Sequence, residues 1–296
     1  MHMADALISP AVGGTMLAVS AGLIGYCSKK VKAEADERTV PLMGVMGAFI
    51  FAAQMINFTI PATGSSGHLG GGLLLAVLLG PHAAFLVISS VLVIQGLFFA
   101  DGGLLALGCN IFNLGFFPAF LAYPFLYKKI VKDKPSSGRI ITGSLLAAVV
   151  GLQLGAFSVV IETVCSGITA LPLSVFTLLM QPIHLAIGMV EGLVTAAVLS
   201  FIWKANPGIL DLAPSPVHSP LIKTGHVVAT LLVAAAVTGG FMSWFASGNP
   251  DGLEWSIEKV TGKQELETAY HLQHTLAGIQ EKTALLPDYS FRTSQA

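Results

Sequence analysis

Long apolar stretches separated by short charged windows dominate the pattern of this chain. Residues 1–250 contain eleven of the 15 Lys and Arg residues, and all eleven fall in the windows 29–38 and 128–139 or at Lys204 and Lys223. The stretches between these positions are apolar enough to cross a bilayer. The pattern therefore predicts membrane-spanning helices joined by short loops.

The positions of the charged windows predict the topology. Positive residues in short loops mark the cytoplasmic side of a membrane protein, so each window is expected to face the cytoplasm. The parity of the crossings then predicts an outward N-terminus and seven spans, at 8–27, 40–60, 70–79, 83–99, 104–127, 140–162 and 173–203. The third span is shorter than the roughly 20 residues of a full crossing. An eighth span at 227–245 follows a Pro-rich linker and leads outward.

The composition changes after the eighth span. Residues 251–296 contain seven of the 16 acidic residues and no apolar stretch long enough to cross, although an amphipathic run lies near 253–260. We therefore predict an all-α polytopic membrane protein with a small soluble C-terminal tail. Its predicted parts are a seven-helix core in 1–205, a cytoplasmic linker in 206–222, an eighth transmembrane helix in 223–248 and an extracytoplasmic tail in 249–296.

Composition narrows the class of protein further. Only 10% of the residues are charged, against roughly 25% in soluble proteins, so the chain is expected in the cell membrane. A net charge of -1 offers no basic surface for nucleic acid. The three cysteines lack CxxC spacing, which argues against a disulfide framework or a zinc cluster. Residues 1–28 contain no Lys or Arg, so we predict a retained N-terminus rather than a cleaved signal peptide.

The first two residues, Met1 and His2, form a potential chelator. Methionine aminopeptidases act when the second residue is small, so His2 is expected to preserve Met1. The α-amine and the His2 amide nitrogen close a five-membered ring on a metal, and the amide nitrogen and His2 Nδ1 close a six-membered ring. Three nearly coplanar nitrogens suit tetragonal Ni(II) or Cu(II). Because the amide must lose its proton, binding is expected to weaken as the pH falls.

A second histidine is the natural fourth planar ligand. His68 lies in the glycine-rich run GSSGHLGGG at 64–72, which the topology places on the same side as the N-terminus. Glycines allow the backbone to approach closely, and irregular backbone at membrane depth is tolerated where it lines a cavity. His68 is therefore the candidate that completes the site.

Other polar residues lie within or beside the predicted spans. Ionisable groups in a membrane are costly and suggest function, whereas Asn and Gln also join helices by hydrogen bonds. Asn110 and Asn113 share one helix face, and His184 and Glu191 share another. With Asp5, these residues are candidates for supporting or coupling roles. For His184 and Glu191, a mutual pair, a relay and contact with a partner helix all remain open.

Several separated motifs together resemble one family. The run MHMADAL at 1–7, the His68 loop, DGG at 101–103 with the two asparagines, HLAIG at 184–188 and EG at 191–192 resemble the CbiM/NikM family in order and identity. These are substrate-binding membrane components of energy-coupling factor transporters for cobalt and nickel. The run PDGLE at 250–254 resembles the PDGLE domain of the NikN-type accessory component. Such components usually carry a second span after the soluble part, and none follows here.

The resemblance implies a ligand set and partners. It implies ligation by the amine of Met1, the amide and Nδ1 of His2, and a nitrogen of His68. It also implies a transmembrane coupling component and cytoplasmic ATPase subunits as partners, so this chain would be a transport component and not an enzyme. In agreement, no GxxxxGK[ST] phosphate loop occurs. Planar nitrogen ligation and the PDGLE segment favour Ni(II) as the substrate, with Co(II) as the alternative.

Two other classes of protein remain open at this stage. An ion-coupled secondary transporter would need an internal coupling site and often shows inverted repeats; no clear repeat is visible, although Glu162 and Glu191 are candidates for carrying protons. An intramembrane hydrolase would use Ser65 or Ser66 as its nucleophile beside His68 or His184. Neither serine lies in a recognisable nucleophile motif.

Overall fold

The computed structural model describes residues 2–34, 39–131, 135–205, 224–264 and 266–291. Met1 and the predicted linker at 206–222 lie outside the described residues. The described part of the chain is mainly helical, as predicted. Its α-helices are α1 (Pro10–Glu34), α2 (Thr39–Gln54), α3 (Gly72–Leu79), α4 (Pro81–Ile94), α5 (Leu107–Ile111), α6 (Lys128–Val131), α7 (Ser137–Ser166), α8 (Leu173–Ala205), α9 (Thr224–Gly240), α10 (Gly252–Thr261) and α11 (His271–Thr283).

Shorter elements complete the described fold. The strands β1 (Phe58–Ile60) and β2 (Ser65–Gly67) form an antiparallel pair in which Phe58 lies opposite Gly67. The remaining elements are 3₁₀ turns at Asp5–Leu7, Met242–Phe245 and Pro287–Tyr289, and π-helical segments at Gln95–Phe99 and Phe112–Tyr127.

Five helical segments among the described residues are long and apolar enough to cross a membrane. They are Pro10–Glu34, Pro81–Phe99, Leu107–Val131, Ser137–Ser166 and Leu173–Ala205. Two shorter apolar helices, Thr39–Gln54 and Gly225–Gly240, occupy the positions of the second and eighth predicted spans. The prediction of an all-α polytopic membrane protein is thus confirmed, while the predicted second span is helical only as far as Gln54.

The third predicted span is a short buried helix. The eight residues of α3 extend over about 12 Å, and nearly all of them are buried. α3 ends at Gly80, whose positive φ of 78° turns the chain into α4. At this turn His82 lies 3.9 Å from Glu34, the last residue of α1. Because α3 is so short, the loop that precedes it reaches into the interior of the helical bundle.

The segment between α5 and α6 is a π-helix, Phe112–Tyr127. Pro118 and Pro124 lie inside it, and each lacks the N–H that an α-helical ladder requires at its position. π-helical segments are frequent at functional sites. The segment carries Asn113, one of the predicted supporting residues, into the buried interior.

The helices approach one another most closely at glycines. A Cβ on Gly108 of α5 would overlap the backbone nitrogen of Leu17 in α1, and Ser20 Oγ donates a 2.7 Å hydrogen bond to the Gly108 carbonyl. A Cβ on Gly192 of α8 would lie 2.7 Å from the Cα of Leu145 in α7. Small residues at such contacts let helices pack in a membrane, where no hydrophobic effect drives them together.

The contact at Gly108 leads to a first prediction. Gly108→Ala is expected to reduce the stability of the protein by about 1–3 kcal/mol, because the added methyl group meets backbone that cannot move aside. Thermal unfolding in detergent measures this change. Gly22→Ala in α1 is the matched control, since a Cβ there meets nothing within 4 Å. Equal unfolding temperatures for the two variants would contradict the close contact.

Residues after α9 fold back onto the bundle. The predicted amphipathic run forms α10, which buries Leu253 and Ile257. Asp251 caps this helix by accepting the N–H groups of Leu253 and Glu254 at 2.8 and 2.9 Å. Trp255 Nε1 donates to the carbonyl of Thr63 at 3.0 Å. The C-terminal tail therefore packs against the β1–β2 hairpin.

Candidate metal centre

The N-terminal arm is anchored inside the bundle by backbone hydrogen bonds. Asn110 Oδ1 accepts the N–H of Met3 at 2.8 Å, and Asn110 Nδ2 donates to the Met3 carbonyl at 3.2 Å. Asp5 Oδ1 accepts the N–H groups of Leu105 and Ala106 at 2.8 and 3.0 Å. Asn110 thus holds the main chain of Met3, and Asp5 binds the main chain of Leu105 and Ala106. Together they fix the direction from which His2 enters the site.

The DGG run after α4 completes this anchor. Gly103 N–H donates to the Met3 carbonyl at 2.9 Å, and a Cβ on Gly103 would overlap Asp5. Gly102 has a φ of 84°, a value that favours glycine. These two glycines let the arm lie directly against the loop, which also brings Asp101 beside His2.

The loop of His68 is held by Glu191. Glu191 Oε2 accepts the N–H of Gly70 at 2.8 Å, and Oε1 accepts the N–H of Gly71 at 3.1 Å. Gly71 precedes α3 with a φ of 77°. The carboxylate therefore binds two consecutive donors near the N-terminus of a helix, where negative charge is favourable. Glu191 fixes the main chain just after His68.

His2 and His68 come together at the centre of this arrangement. Their rings are nearly parallel, with an interplanar angle of 7° and ring centroids 4.9 Å apart. His68 Nδ1 donates to the carbonyl of Leu69 at 3.1 Å, which leaves the ring lone pair on Nε2. Burial, together with nearby positive charge, lowers the pKa of His68 to about 3. His68 is therefore a neutral imidazole, the form that binds metals.

Asp101 is the partner of His2. His2 Nδ1 lies 3.0 Å from Asp101 Oδ1, and His2 Nε2 is buried without a hydrogen-bond partner among the described residues. Burial disfavours the charged form of Asp101, but the interactions with His2, Tyr289 and His68 together outweigh it and hold the pKa of this carboxyl well below its usual range. Asp101 begins the DGG motif, but the sequence alone does not predict it as a site residue.

The other predicted residues have separate partners. Asn113 Nδ2 donates to Glu162 Oε2 at 2.7 Å and lies 3.8 Å from the sulfur of Met3. His184 Nδ1 donates to the carbonyl of Met180 at 2.8 Å, within its own helix. Among the described residues, His184 is hydrogen-bonded to Met180 and Glu191 to Gly70 and Gly71, so the two side chains bind different groups.

The serines considered as nucleophiles are engaged in structure. Ser66 Oγ donates to the carbonyl of Asn249 at 2.8 Å, and Ser65 Oγ donates to the carbonyl of Ser66 at 3.1 Å. A nucleophilic serine would instead donate to a base. The contact of Ser66 fits a role in holding the C-terminal tail, and that of Ser65 lies within β2.

The donor atoms at this site suit a nitrogen chelate more than a cluster of carboxylates. Within the described residues, no group of three or more His, Cys, Asp and Glu side chains is arranged to hold a metal ion. The ligand set predicted from the sequence contains only two such side chains, His2 and His68, because its other nitrogens belong to the main chain. The neutral His68 fits such a set through Nε2. On His2 the nitrogen of the set is Nδ1, which faces Asp101.

Comparisons with known proteins agree with the fold. The family model for the cobalt uptake substrate-specific transmembrane region, CbiM, matches residues 2–209, and the PDGLE domain matches residues 225–296. The putative fused nickel transport protein NikMN of Archaeoglobus fulgidus is 34% identical over 243 residues, which are 81% of this chain and 79% of that protein. The probable fused nickel transport protein LarMN of Lactiplantibacillus plantarum is 32% identical over 98% of this chain and 89% of that protein.

A solved structure is similar as well. The crystal structure of a truncated transition metal transporter has a TM-score of 0.61 and 32% sequence identity, and the match covers 68% of this chain and 98% of that one. The relatives are named as metal transport proteins, which confirms the prediction of a transport component rather than an enzyme. This chain belongs to the CbiM family, and its family match continues into a PDGLE domain after the core.

Proposed function

We propose that this protein captures Ni(II) for import, using the nitrogens of its own N-terminus and His68 as ligands. The ligands are the amine of Met1, the amide nitrogen and Nδ1 of His2, and Nε2 of His68. The observation that carries the proposal is the meeting of the two buried imidazoles, parallel and 4.9 Å apart at their centroids. Two elements distant in sequence are anchored separately and still meet there.

Metal entry replaces one hydrogen bond. Nδ1 of His2, the nitrogen that closes the six-membered chelate ring, faces Asp101 at 3.0 Å in the described arrangement. The cation takes the place of this contact after Nδ1 and the amide nitrogen release their protons to solvent, and the Asp101 carboxylate remains beside the cation. A divalent metal with one deprotonated amide keeps about one positive charge, and a neighbouring carboxylate offsets that charge in a buried site.

Nickel is the preferred substrate in this proposal. Planar nitrogen ligation favours low-spin Ni(II), and two of the relatives that match most of the chain are named as nickel transport proteins. Co(II) binds the same nitrogens, and the family model is named for cobalt uptake. Competition between the two ions for the purified protein separates these substrates.

Transport requires partners in this proposal. A transmembrane coupling component and cytoplasmic ATPase subunits supply the energy, in an energy-coupling factor arrangement. The chain itself has no GxxxxGK[ST] motif for nucleotide phosphates. We place the N-terminus and the C-terminal tail on the extracytoplasmic side of the cell membrane. In support, Gln273 of the tail binds the carbonyl of Asp5 at 2.7 Å, whereas Lys30 and Glu34 lie at the opposite end of α1.

The amino terminus provides the decisive test. Protein purified with its native N-terminus is expected to contain about one Ni(II) per chain and to show an absorption band of square-planar nitrogen ligation. Acetylation of the amine, or a tag in front of Met1, is expected to remove both signals because the first ligand is lost. Metal analysis by mass spectrometry and absorption spectroscopy give the readout.

The control is the stability of the blocked protein. In the presence of a chelator, the blocked protein is expected to have the same unfolding temperature as the native protein. Such a result shows that blocking removes the metal ligand and leaves the fold unchanged. Equally tight nickel binding by blocked and native protein would reject the chelate. Binding of Co(II) with the exclusion of Ni(II) by the native protein would reject the choice of metal.

A further inference from the structure

The C-terminal residues 249–291, here called the C-terminal segment, are bound to both halves of the candidate metal centre. Ser66 N–H, two residues before His68, donates to the carbonyl of Pro250 at 2.8 Å. Gln273 Nε2 donates to the carbonyl of Asp5 at 2.7 Å. Gln280 Nε2 donates to the carbonyl of Gly102 at 2.6 Å. The segment thus contacts the main chain close to each of the residues His2, His68 and Asp101.

One side chain of this segment reaches the site itself. Tyr289 OH donates to Asp101 Oδ2 at 2.6 Å, while Asp101 Oδ1 lies 3.0 Å from His2 Nδ1. Gln95 Nε2 donates to the Tyr289 oxygen at 3.1 Å. The hydroxyl therefore belongs to an ordered chain of hydrogen bonds that ends on the imidazole of His2.

The position of Tyr289 is strongly determined by its surroundings. Its ring stacks on Phe99 with centroids 4.9 Å apart and an interplanar angle of 28°. Four residues earlier, Leu285 N–H donates to the carbonyl of Phe98 at 2.9 Å. The φ of Tyr289 is 57°, a left-handed value that is a genuine outlier for a bulky residue. Such strained conformations persist only where the surroundings enforce them, and they cluster at functional sites.

Space remains between the segment and the site. A cavity of about 320 Å³ is lined by His2, Asp101, Asp251 and Gln280, among other residues. This volume admits a hydrated ion, since one water needs only about 10–15 Å³ of such volume. Polar side chains of the core and of the C-terminal segment therefore face the same space beside His2.

We propose that Tyr289 is a positioning residue for Asp101, the carboxylate beside the metal ligand His2, so that the C-terminal segment controls the rate at which metal leaves the site. The proposal rests on the function proposed above. When metal takes Nδ1 of His2, Asp101 loses one donor but keeps the hydroxyl of Tyr289. The carboxylate then stays aligned next to the cation. Groups that orient metal ligands from outside commonly change metal affinity by 10–100-fold when they are removed.

The test compares nickel dissociation from the full-length protein and from Tyr289→Phe. Loss of the hydroxyl is expected to accelerate dissociation about tenfold, as measured by stopped-flow transfer of nickel to a chelator. The absorption band of bound nickel is expected to shift because the carboxylate of Asp101 beside the cation is no longer held by the hydroxyl. Tyr270→Phe is the matched control, since Tyr270 lies in the same segment with its side chain exposed, and it is expected to release nickel at the wild-type rate.

A double-mutant cycle tests the route through Asp101. In an Asp101→Asn background, Tyr289→Phe is expected to cause no further acceleration, because the two residues act in series. Equal dissociation rates for wild type and Tyr289→Phe would overturn the proposal. So would a tenfold effect that persists undiminished in the Asp101→Asn background. Failure of the wild-type protein to bind nickel would instead reject the function proposed above.

Discussion

Replacing His68 by alanine is expected to lower the affinity for nickel by more than about 100-fold. His68 supplies one of four planar nitrogens in the proposed site, and even groups outside the ligand sphere are worth 10–100-fold. The ring is buried against His2, with centroids 4.9 Å apart, so the smaller side chain also leaves His2 without its stacking partner. Titration of metal-free protein with Ni(II), followed by absorption and calorimetry, measures the change.

A second substitution tests the other histidine of the proposed ligand set. His2→Gln removes Nδ1 but retains the main-chain nitrogens, and it is expected to abolish the absorption band of square-planar nickel as well. His226→Ala is the control, because His226 is exposed on α9, and it is expected to bind nickel as the wild type does. Retention of wild-type affinity by His68→Ala would exclude His68 from the ligand set.

Glu191→Ala is expected to cause the second largest effect, on stability and on metal binding together. The carboxylate is buried, and its two oxygens accept the N–H groups of Gly70 and Gly71 at 2.8 and 3.1 Å. Alanine leaves both donors without an acceptor, and an unsatisfied buried donor costs about 1–3 kcal/mol. A loss of about 2 kcal/mol or more is therefore expected in thermal or denaturant unfolding of the metal-free protein.

The effect on binding follows from the position of the loop. Gly70 lies two residues after His68, so the loop is expected to lose its fixed geometry and the nickel affinity to fall about tenfold or more. Glu191→Gln is the matched variant: its amide oxygen accepts one N–H, and both effects are expected to be smaller than in Glu191→Ala. If Glu191→Ala unfolds and binds nickel like the wild type, Glu191 does not hold this loop.

The predicted spans and the observed helices agree where apolar length and charge decide the outcome. The long helices α1, α7 and α8 lie where the charge map predicts them, because a bilayer requires long apolar helices. The third span differs. The apolar run at 70–79 is too short for a full crossing, and the sequence alone shows this. The burial of α3 depends on its contacts with α4 and the π-helical segment, which the periodicity of the sequence does not reveal.

The sequence predicts the ligands of the candidate site, but not the hydrogen bonds that hold them in place. His2 and His68 were proposed as ligands because an N-terminal His and a glycine-rich loop fall on one side of the predicted topology. Their 4.9 Å separation depends on how the arm and the loop are anchored, by Asn110 and Glu191 respectively. The sequence predicts both anchors as supporting residues, but Glu191 binds the backbone of the His68 loop, whereas His184 binds the carbonyl of Met180.

The sequence by itself determined the class of this protein: the scarcity and clustering of charge require a membrane, and the motifs from Met1 to Glu191 indicate its family. Only the tertiary structure decided that Asp101 holds His2 and that Tyr289 holds Asp101. The physical reason is the distance along the chain over which each property is decided. Partition into a bilayer depends on local composition, which a sequence displays directly. A hydrogen bond between residues 188 positions apart depends on how the whole chain returns to its start.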